Sequence, residues 1–267
     1  MLPLRYSALL YLGLCLATAA AAHPGQHDQL LQLDRHLQQA PSDQSLYIQR
    51  GMLYSENGQY PEAMADYRQA QVLGPAVLVT FELGVLHYRM GEYEPAKQYF
   101  RAYLERFADF PPAYDYLARI AREEGDTDAA IANLEIYFRL QERPSPGLFL
   151  AAAKMLEEND RYEQALYFLD QGLAALGVIP QLQRYAIRLE LVRQKPALAL
   201  ARLETLQQAL QDSPAWKLEM AQLLLLLDRP AEASSLAVQA QQQLDAMRPT
   251  PARIALQKQA AQLIATK

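Results

Sequence analysis

The fold is decided by residues 44–75, which read QSLYIQRGMLYSENGQYPEAMADYRQAQVLGP. Two helical patterns lie in this stretch, with a turn at Gly58 between them and Pro75 at the end, and both residue types interrupt helices. Gly51 in the first pattern is followed twelve residues later by Ala63 in the second. Because small residues let two antiparallel helices approach closely, the stretch predicts a helix pair. Four tyrosines are expected to fill the space around the contact: Tyr47, Tyr54, Tyr60 and Tyr67.

This pattern recurs along the chain at a nearly constant period. The alanines that correspond to Ala63 are separated by 33, 34, 35, 34 and 34 residues, and they are Ala63, Ala96, Ala130, Ala165, Ala199 and Ala233. Self-similarity at such a period is typical of stacked repeat proteins. The sequence therefore predicts an all-α chain in which helix pairs stack on one another.

The order of residue types resembles the tetratricopeptide repeat family, whose pattern places an aromatic residue, a Leu-Gly pair, a tyrosine, an alanine and a proline at fixed offsets. Residues 44–75 follow the pattern except that Arg50 replaces the leucine, and residues 77–110 keep the pair as Leu83 and Gly84. The resemblance implies a right-handed superhelical solenoid of antiparallel helix pairs, with capping helices at both termini.

The period divides the chain into a leader, about six repeats and two ends. The predicted segments are a signal peptide at 1–22, a tail and leading helix at 23–43, repeats at 44–76, 77–110, 111–145, 146–179, 180–213 and 214–245, and a capping helix at 246–267. Within 23–43 the leading helix is expected to run from Asp28 to Gln39. The fifth repeat departs from the pattern, because Ile187 stands where glycine or alanine is expected.

The leader begins with Arg5, continues with the apolar run 8–17 and ends in small residues at Ala22. This pattern predicts a secretory signal peptide cleaved near Ala22, and hence an exported chain, periplasmic or secreted, with no stable membrane span after cleavage. An uncleaved anchor is the alternative. Cys15, the single cysteine, follows Leu14 rather than the small residue that bacterial lipoproteins place there, so we expect neither a lipid anchor nor a disulfide.

The composition and the motifs exclude several classes of function. The formal net charge of −5 does not suit nucleic acid, which requires a basic face. The sequence contains no nucleophile motif, phosphate-binding glycine loop or HExxH motif. We therefore predict a protein that is not an enzyme and needs no cofactor.

The resemblance implies that the first helix of each pair lines a concave groove. The groove positions of this chain are aromatic and basic, and arginine suits carboxylates, so the expected partner is a protein or peptide with acidic groups. The predicted groove residues are Phe81, Tyr88, Arg89, Asp115, Tyr116, Arg119, Arg122, Lys154, Arg184, Tyr185 and Arg188.

Two of these arginines have a simpler interpretation. Arg119 and Arg122 could pair with Asp115 and Glu123 along a single helix and leave no charge for a partner. Family members that bind chaperone tails clamp a terminal carboxylate with Lys and Asn side chains. Glu82 occupies one of those positions here, as do Ile48 and Met52, so the sequence predicts that this clamp is absent.

Exported proteins similar to this one serve as envelope assembly factors, and the resemblance implies an adaptor role of that kind. One alternative is a copper- or zinc-handling protein, because cleavage after Ala22 would place His23 at the N-terminus with His27 nearby. Another is a self-associating structural protein that uses the leucine run 223–227. The run is also explained by burial between the fifth repeat and the capping helix.

Overall fold

The structure, a computed structural model, describes residues 24–206 and 213–265. These residues contain fourteen α-helices and no strand, which confirms the all-α prediction. The helices are α1 (Pro24–Gln39), α2 (Gln44–Glu56), α3 (Tyr60–Leu73), α4 (Val77–Arg89), α5 (Tyr93–Leu104), α6 (Pro111–Glu123), α7 (Thr127–Leu140), α8 (Pro146–Glu157), α9 (Tyr162–Leu176), α10 (Pro180–Val192), α11 (Pro196–Glu204), α12 (Pro214–Leu226), α13 (Pro230–Asp245) and α14 (Pro251–Ala265). From α2 to α13, each predicted repeat segment contains one pair of consecutive helices.

Local sequence signals set the helix starts. Many helices begin at a proline, whose fixed φ fits the first turn and whose missing N–H has no partner there; these prolines include Pro111, Pro146, Pro180, Pro196, Pro214, Pro230 and Pro251. Two aspartates cap the helices that follow them. The Asp43 carboxylate accepts from the Ser45 N–H, and the Asp126 carboxylate accepts from the Ala129 N–H.

The turn between the two helices of each repeat contains one residue with positive φ. These residues recur at separations of 33, 34, 35, 34 and 34, and they are Gly58, Gly91, Gly125, Asp160, Gln194 and Asp228. The separations equal those of the repeated alanines. The same turn is therefore kept in the last three repeats, where the chain supplies no glycine for it.

The chain divides into two compact units, Met1–Ala108 and Asp109–Lys267. In the first unit, α2 packs against α3 and α4 against α5, while α1 covers α2. A Cβ atom added to Gly51 would lie 2.5 Å from Cε1 of Tyr67, which is buried. This contact confirms that Gly51 permits a close helix approach.

The leading helix is longer than the sequence indicated. We expected a tail followed by a helix that begins at residue 28, but α1 already begins at Pro24. Proline at the first position of a helix accounts for the earlier start. Leu33 and Leu37 are the buried residues of α1, and α2 is its packing partner.

In the second unit the pairs are α6 with α7, α8 with α9, α10 with α11 and α12 with α13, and α14 packs on α13 and α12. The leucine run 223–227 lies at the end of α12 and is only partly buried. Leu223 and Leu224 are buried, but Leu226 is 63% exposed. The interpretation that the whole run is buried is therefore wrong for Leu226. Five consecutive residues cover every side of a helix, and α12 is packed on only some of its sides.

No helix in the described ranges combines the length and apolar character that crossing a bilayer requires. The predicted signal peptide, Cys15 and His23 lie outside the described residues. Export therefore stays a prediction from the sequence.

Candidate functional site

The predicted groove residues lie on α4, α6, α8 and α10 and belong to both units. In the first unit, the ring centroid of Phe81 lies 5.5 Å from that of Phe100, so Phe81 contributes to aromatic packing. Tyr88 lies 6.0 Å from Tyr93, again between ring centroids. Arg89 donates from Nη1 to the main-chain oxygen of Ser55 at 3.1 Å.

On α6, the predicted arginines bind carboxylates of their own helix. Arg119 donates from Nε and Nη2 to the two oxygens of Asp115, at 3.1 and 2.6 Å, and lies 5.5 Å from the ring centroid of Tyr116. Arg122 donates to Glu123 at 2.8 Å. The pairing that the sequence left as an alternative is therefore present at both arginines.

The predicted residues on α10 form a cluster with carboxylates from the neighbouring repeats. Arg188 donates from Nη1 and Nη2 to the two oxygens of Glu157 on α8, at 2.8 and 2.5 Å, and the Tyr185 hydroxyl donates to the same carboxylate. The Arg188 guanidinium also lies 4.4 Å from the ring centroid of Tyr185. Arg184 donates to Glu219 on α12 at 2.7 and 2.9 Å. Two ion pairs thus connect the first helices of three successive repeats.

The electrostatics of this cluster follow from these bonds. The hydrogen bond from Arg188 lowers the pKa of Glu157, which is therefore ionised at neutral pH. Burial, together with the hydrogen bond to Glu157, raises the pKa of Tyr185 to about 12, so its hydroxyl remains a donor. Lys154 is exposed on α8, one helical turn before Glu157.

A pocket of about 560 Å³ lies between α10, α11 and α12, and we call it the α10–α12 pocket. Its apolar lining consists of Ile187, Leu191, Leu203, Leu223, Leu225 and Leu226, and its polar lining of Arg184, Arg188, Glu219 and Gln222. A cavity of this size with a mainly apolar lining and a few polar groups has the usual features of a binding site.

Sequence reasoning identified the arginines but not the pocket beside them. Ile187 and Leu203 stand sixteen residues apart, like Gly51 and Tyr67 in the first repeat, and both line the cavity. Glu157 and Glu219 lie 31 residues before Arg188 and 35 residues after Arg184. A search for opposite charges about one repeat apart would have found both pairs.

Within the described ranges, no group of three or more His, Cys, Asp and Glu side chains is placed to hold a metal ion. His27 is exposed on α1, and His23 lies outside those ranges. The described residues therefore provide no geometry for the metal-handling alternative.

The profile of the tetratricopeptide repeat family matches residues 44–71 and 81–110. Residues 44–71 and 81–110 therefore belong to this family. The α10–α12 pocket lies further along the chain, between both helices of the fifth predicted repeat and the first helix of the sixth.

The chain is similar in fold to solved structures of tetratricopeptide repeat proteins. It aligns with the C-terminal part of a TPR repeat-containing protein from Cytophaga hutchinsonii at a TM-score of 0.63 and 15% identity, over 87% of this chain and 94% of that chain. Alignment with pilF of Pseudomonas aeruginosa gives a TM-score of 0.53 and 18% identity, over 74% and 90% of the two chains. The solenoid class predicted from the sequence is thereby confirmed.

A curated relative is the photosystem I assembly protein Ycf3 of Rippkaea orientalis (strain PCC 8801 / RF-1). It is 25% identical over 137 residues, which are 46% of this chain and 79% of the relative. Tetratricopeptide repeat proteins bind protein partners, so a scaffold for protein interaction is the class of function that the family supports.

Proposed function

We propose that this protein is an exported scaffold that binds a protein or peptide partner on the first helices of its repeats and acts as an assembly or adaptor factor of a bacterial envelope. The observation that carries the proposal is the α10–α12 pocket. It places an apolar cavity beside Arg184 and Arg188, two arginines that the sequence had assigned to partner binding. A few residues in well-packed pockets carry most of the binding energy of an interface, and arginine is enriched among them.

The assembly role is supported by the curated relative, which is named for the assembly of photosystem I. Export is supported by the residue pattern of 1–22. The intact mass of the protein recovered from a cell envelope fraction tests this part, and cleavage before His23 is the expected result. Recovery of the uncleaved chain in the cytoplasmic fraction would contradict export, and cleavage at any other bond would remove the N-terminal histidine on which the metal alternative depends.

The binding surface is tested by site-specific photo-crosslinking in intact envelopes. In one variant a photoreactive residue replaces Gln222, which is exposed and lines the pocket. In a second variant it replaces Val72, which is 81% exposed and belongs to the other unit. We expect Gln222 to crosslink to one protein partner that Val72 does not reach. The combined variant Arg184→Ala and Arg188→Ala should lose that product, whereas Arg229→Ala, an exposed arginine on a different surface, should keep it.

Crosslinks that are the same at both positions, or that persist in the combined variant, would contradict a partner site at the pocket. Circular dichroism of the purified variants confirms that the helices are retained. The identity of the crosslinked partner then gives the pathway.

A further inference from the structure

The α10–α12 pocket has spare hydrogen-bond donors at its edge. Arg184 uses only Nη1 for its two bonds to Glu219, and within the described residues no acceptor engages its Nε or Nη2. The Arg184 side chain is 45% exposed and lines the pocket. In contrast, both oxygens of Glu157 already accept hydrogen bonds, from Arg188 and Tyr185. The edge of the pocket therefore includes the Nε and Nη2 groups of Arg184 as donors available to a ligand.

The charge at this edge is opposite in sign to that of the chain. Among the residues that line the pocket, Arg184 and Arg188 carry two positive charges and Glu219 carries one negative charge. The chain as a whole has a formal net charge of −5. A partner group with a negative charge is therefore attracted to the place where the spare donors lie.

The floor of the pocket requires an apolar group. Leu226 is 63% exposed and Leu191 37% exposed, and both turn part of their surface into the cavity.

We propose that the α10–α12 pocket binds an internal peptide segment in which a leucine-type side chain, seated on the pocket leucines, is flanked by an aspartate or glutamate bound to Arg184. This inference rests on the proposed function and names the chemistry of the partner. A second copy of the chain is a poorer occupant, because a cavity is filled by a protruding group and the pocket surface is itself concave.

Selection of random peptides on the purified full chain tests the assignment. The peptides are displayed with their C-termini fused to the carrier, so a carboxylate can come only from an aspartate or glutamate side chain. The expected result is enrichment of peptides that contain a leucine-type residue with an acidic residue within one helical turn. Each enriched peptide is then synthesised with an amidated C-terminus and a fluorophore, and its affinity is measured by anisotropy.

Matched variants locate the site. Leu226→Ser and Arg184→Gln should each weaken binding by at least about tenfold. Leu198→Ser and Arg229→Gln should not, and they are fair controls because Leu198 is 47% exposed outside the pocket and the Arg229 side chain is 45% exposed in its own pair with Glu232. All four positions are exposed, so the variants should retain the fold.

The other outcomes overturn the assignment. Enriched peptides that are basic, or apolar without an acid, contradict the chemistry. Another outcome is that acidic peptides bind both pocket variants with unchanged affinity but lose binding to Arg119→Ala. That result refutes this pocket and leaves the scaffold proposal intact. Failure to enrich any peptide refutes the inference, and the crosslinking experiment decides the scaffold proposal separately. A chain that dimerises, and becomes monomeric with Leu226→Ser, assigns the pocket to a second copy instead.

Discussion

Glu82 on α4 is a carboxyl group whose surroundings oppose its ionisation. Burial raises the pKa of Glu82; the nearby Arg89 opposes the shift, and Glu56 adds to it. A group whose folded pKa lies above its unfolded value stabilises the fold below the unfolded pKa and loses that contribution as the pH rises through the folded pKa. We therefore expect Glu82→Gln to be more stable than the natural chain at pH 7, with the difference growing as the pH rises from about 4. Urea unfolding followed by circular dichroism at a series of pH values measures it.

Glu94 on α5 provides a control of opposite sign. Its hydrogen bond from Lys97 lowers the pKa of Glu94, so this group stabilises the fold above its unfolded pKa and ceases to do so as the pH falls. Glu94→Gln should show no gain at pH 7. Equal pH profiles for the two variants would show that burial of Glu82 does not control its titration.

Arg50 on α2 binds carboxylates of the two helices that flank α2 in the chain, α1 and α3. Arg50 donates from Nε and Nη2 to Asp66 on α3, at 2.8 and 2.7 Å, and from Nη1 to Asp34 on α1 at 2.7 Å. Asp66 is 5% exposed, so removal of the guanidinium leaves a buried carboxylate without its partner. Arg50→Ala should lower the free energy of unfolding by about 3–5 kcal/mol, measured by urea titration.

Two companion variants separate the roles of the carboxylates. Asp34 is partly exposed, and Asp34→Ala should cost only about 1 kcal/mol or less. The combined variant Arg50→Leu and Asp66→Ala should recover most of the lost stability, because it removes the buried charge together with its partner. If Asp34→Ala were as damaging as Arg50→Ala, the bridge to α1 rather than the burial of Asp66 would be the source of the effect.

The helices and their pairing could be predicted from the sequence, because a contact such as that of Gly51 with Tyr67 lies within one repeat and recurs with it. The role of Arg50 could not be predicted from the sequence. The sequence marked it as a departure from the family pattern, but one of its two partners, Asp34, lies on α1, outside the first repeat. The α10–α12 pocket was missed for a similar reason, because Ile187 looked like a defect of the pattern until its side chain was seen to line a cavity. Contacts between repeats depend on how one repeat packs against the next. The residue pattern of a single repeat does not specify which residues of neighbouring repeats meet.

The leucine-rich end exposes little apolar surface, and this predicts the oligomeric state of the full chain. Leu226 is its most exposed leucine, and Leu223 and Leu224 are buried in the second unit. Stable dimers bury about 800 Å² on each partner, which a single leucine beside a concave pocket does not provide. We therefore expect light scattering to give the monomer mass at high protein concentration, with no change in Leu226→Asp. A dimer that this variant dissociates would contradict the expectation and favour the self-associating alternative. A dimer that it leaves intact would place the interface elsewhere and keep the pocket available for a peptide.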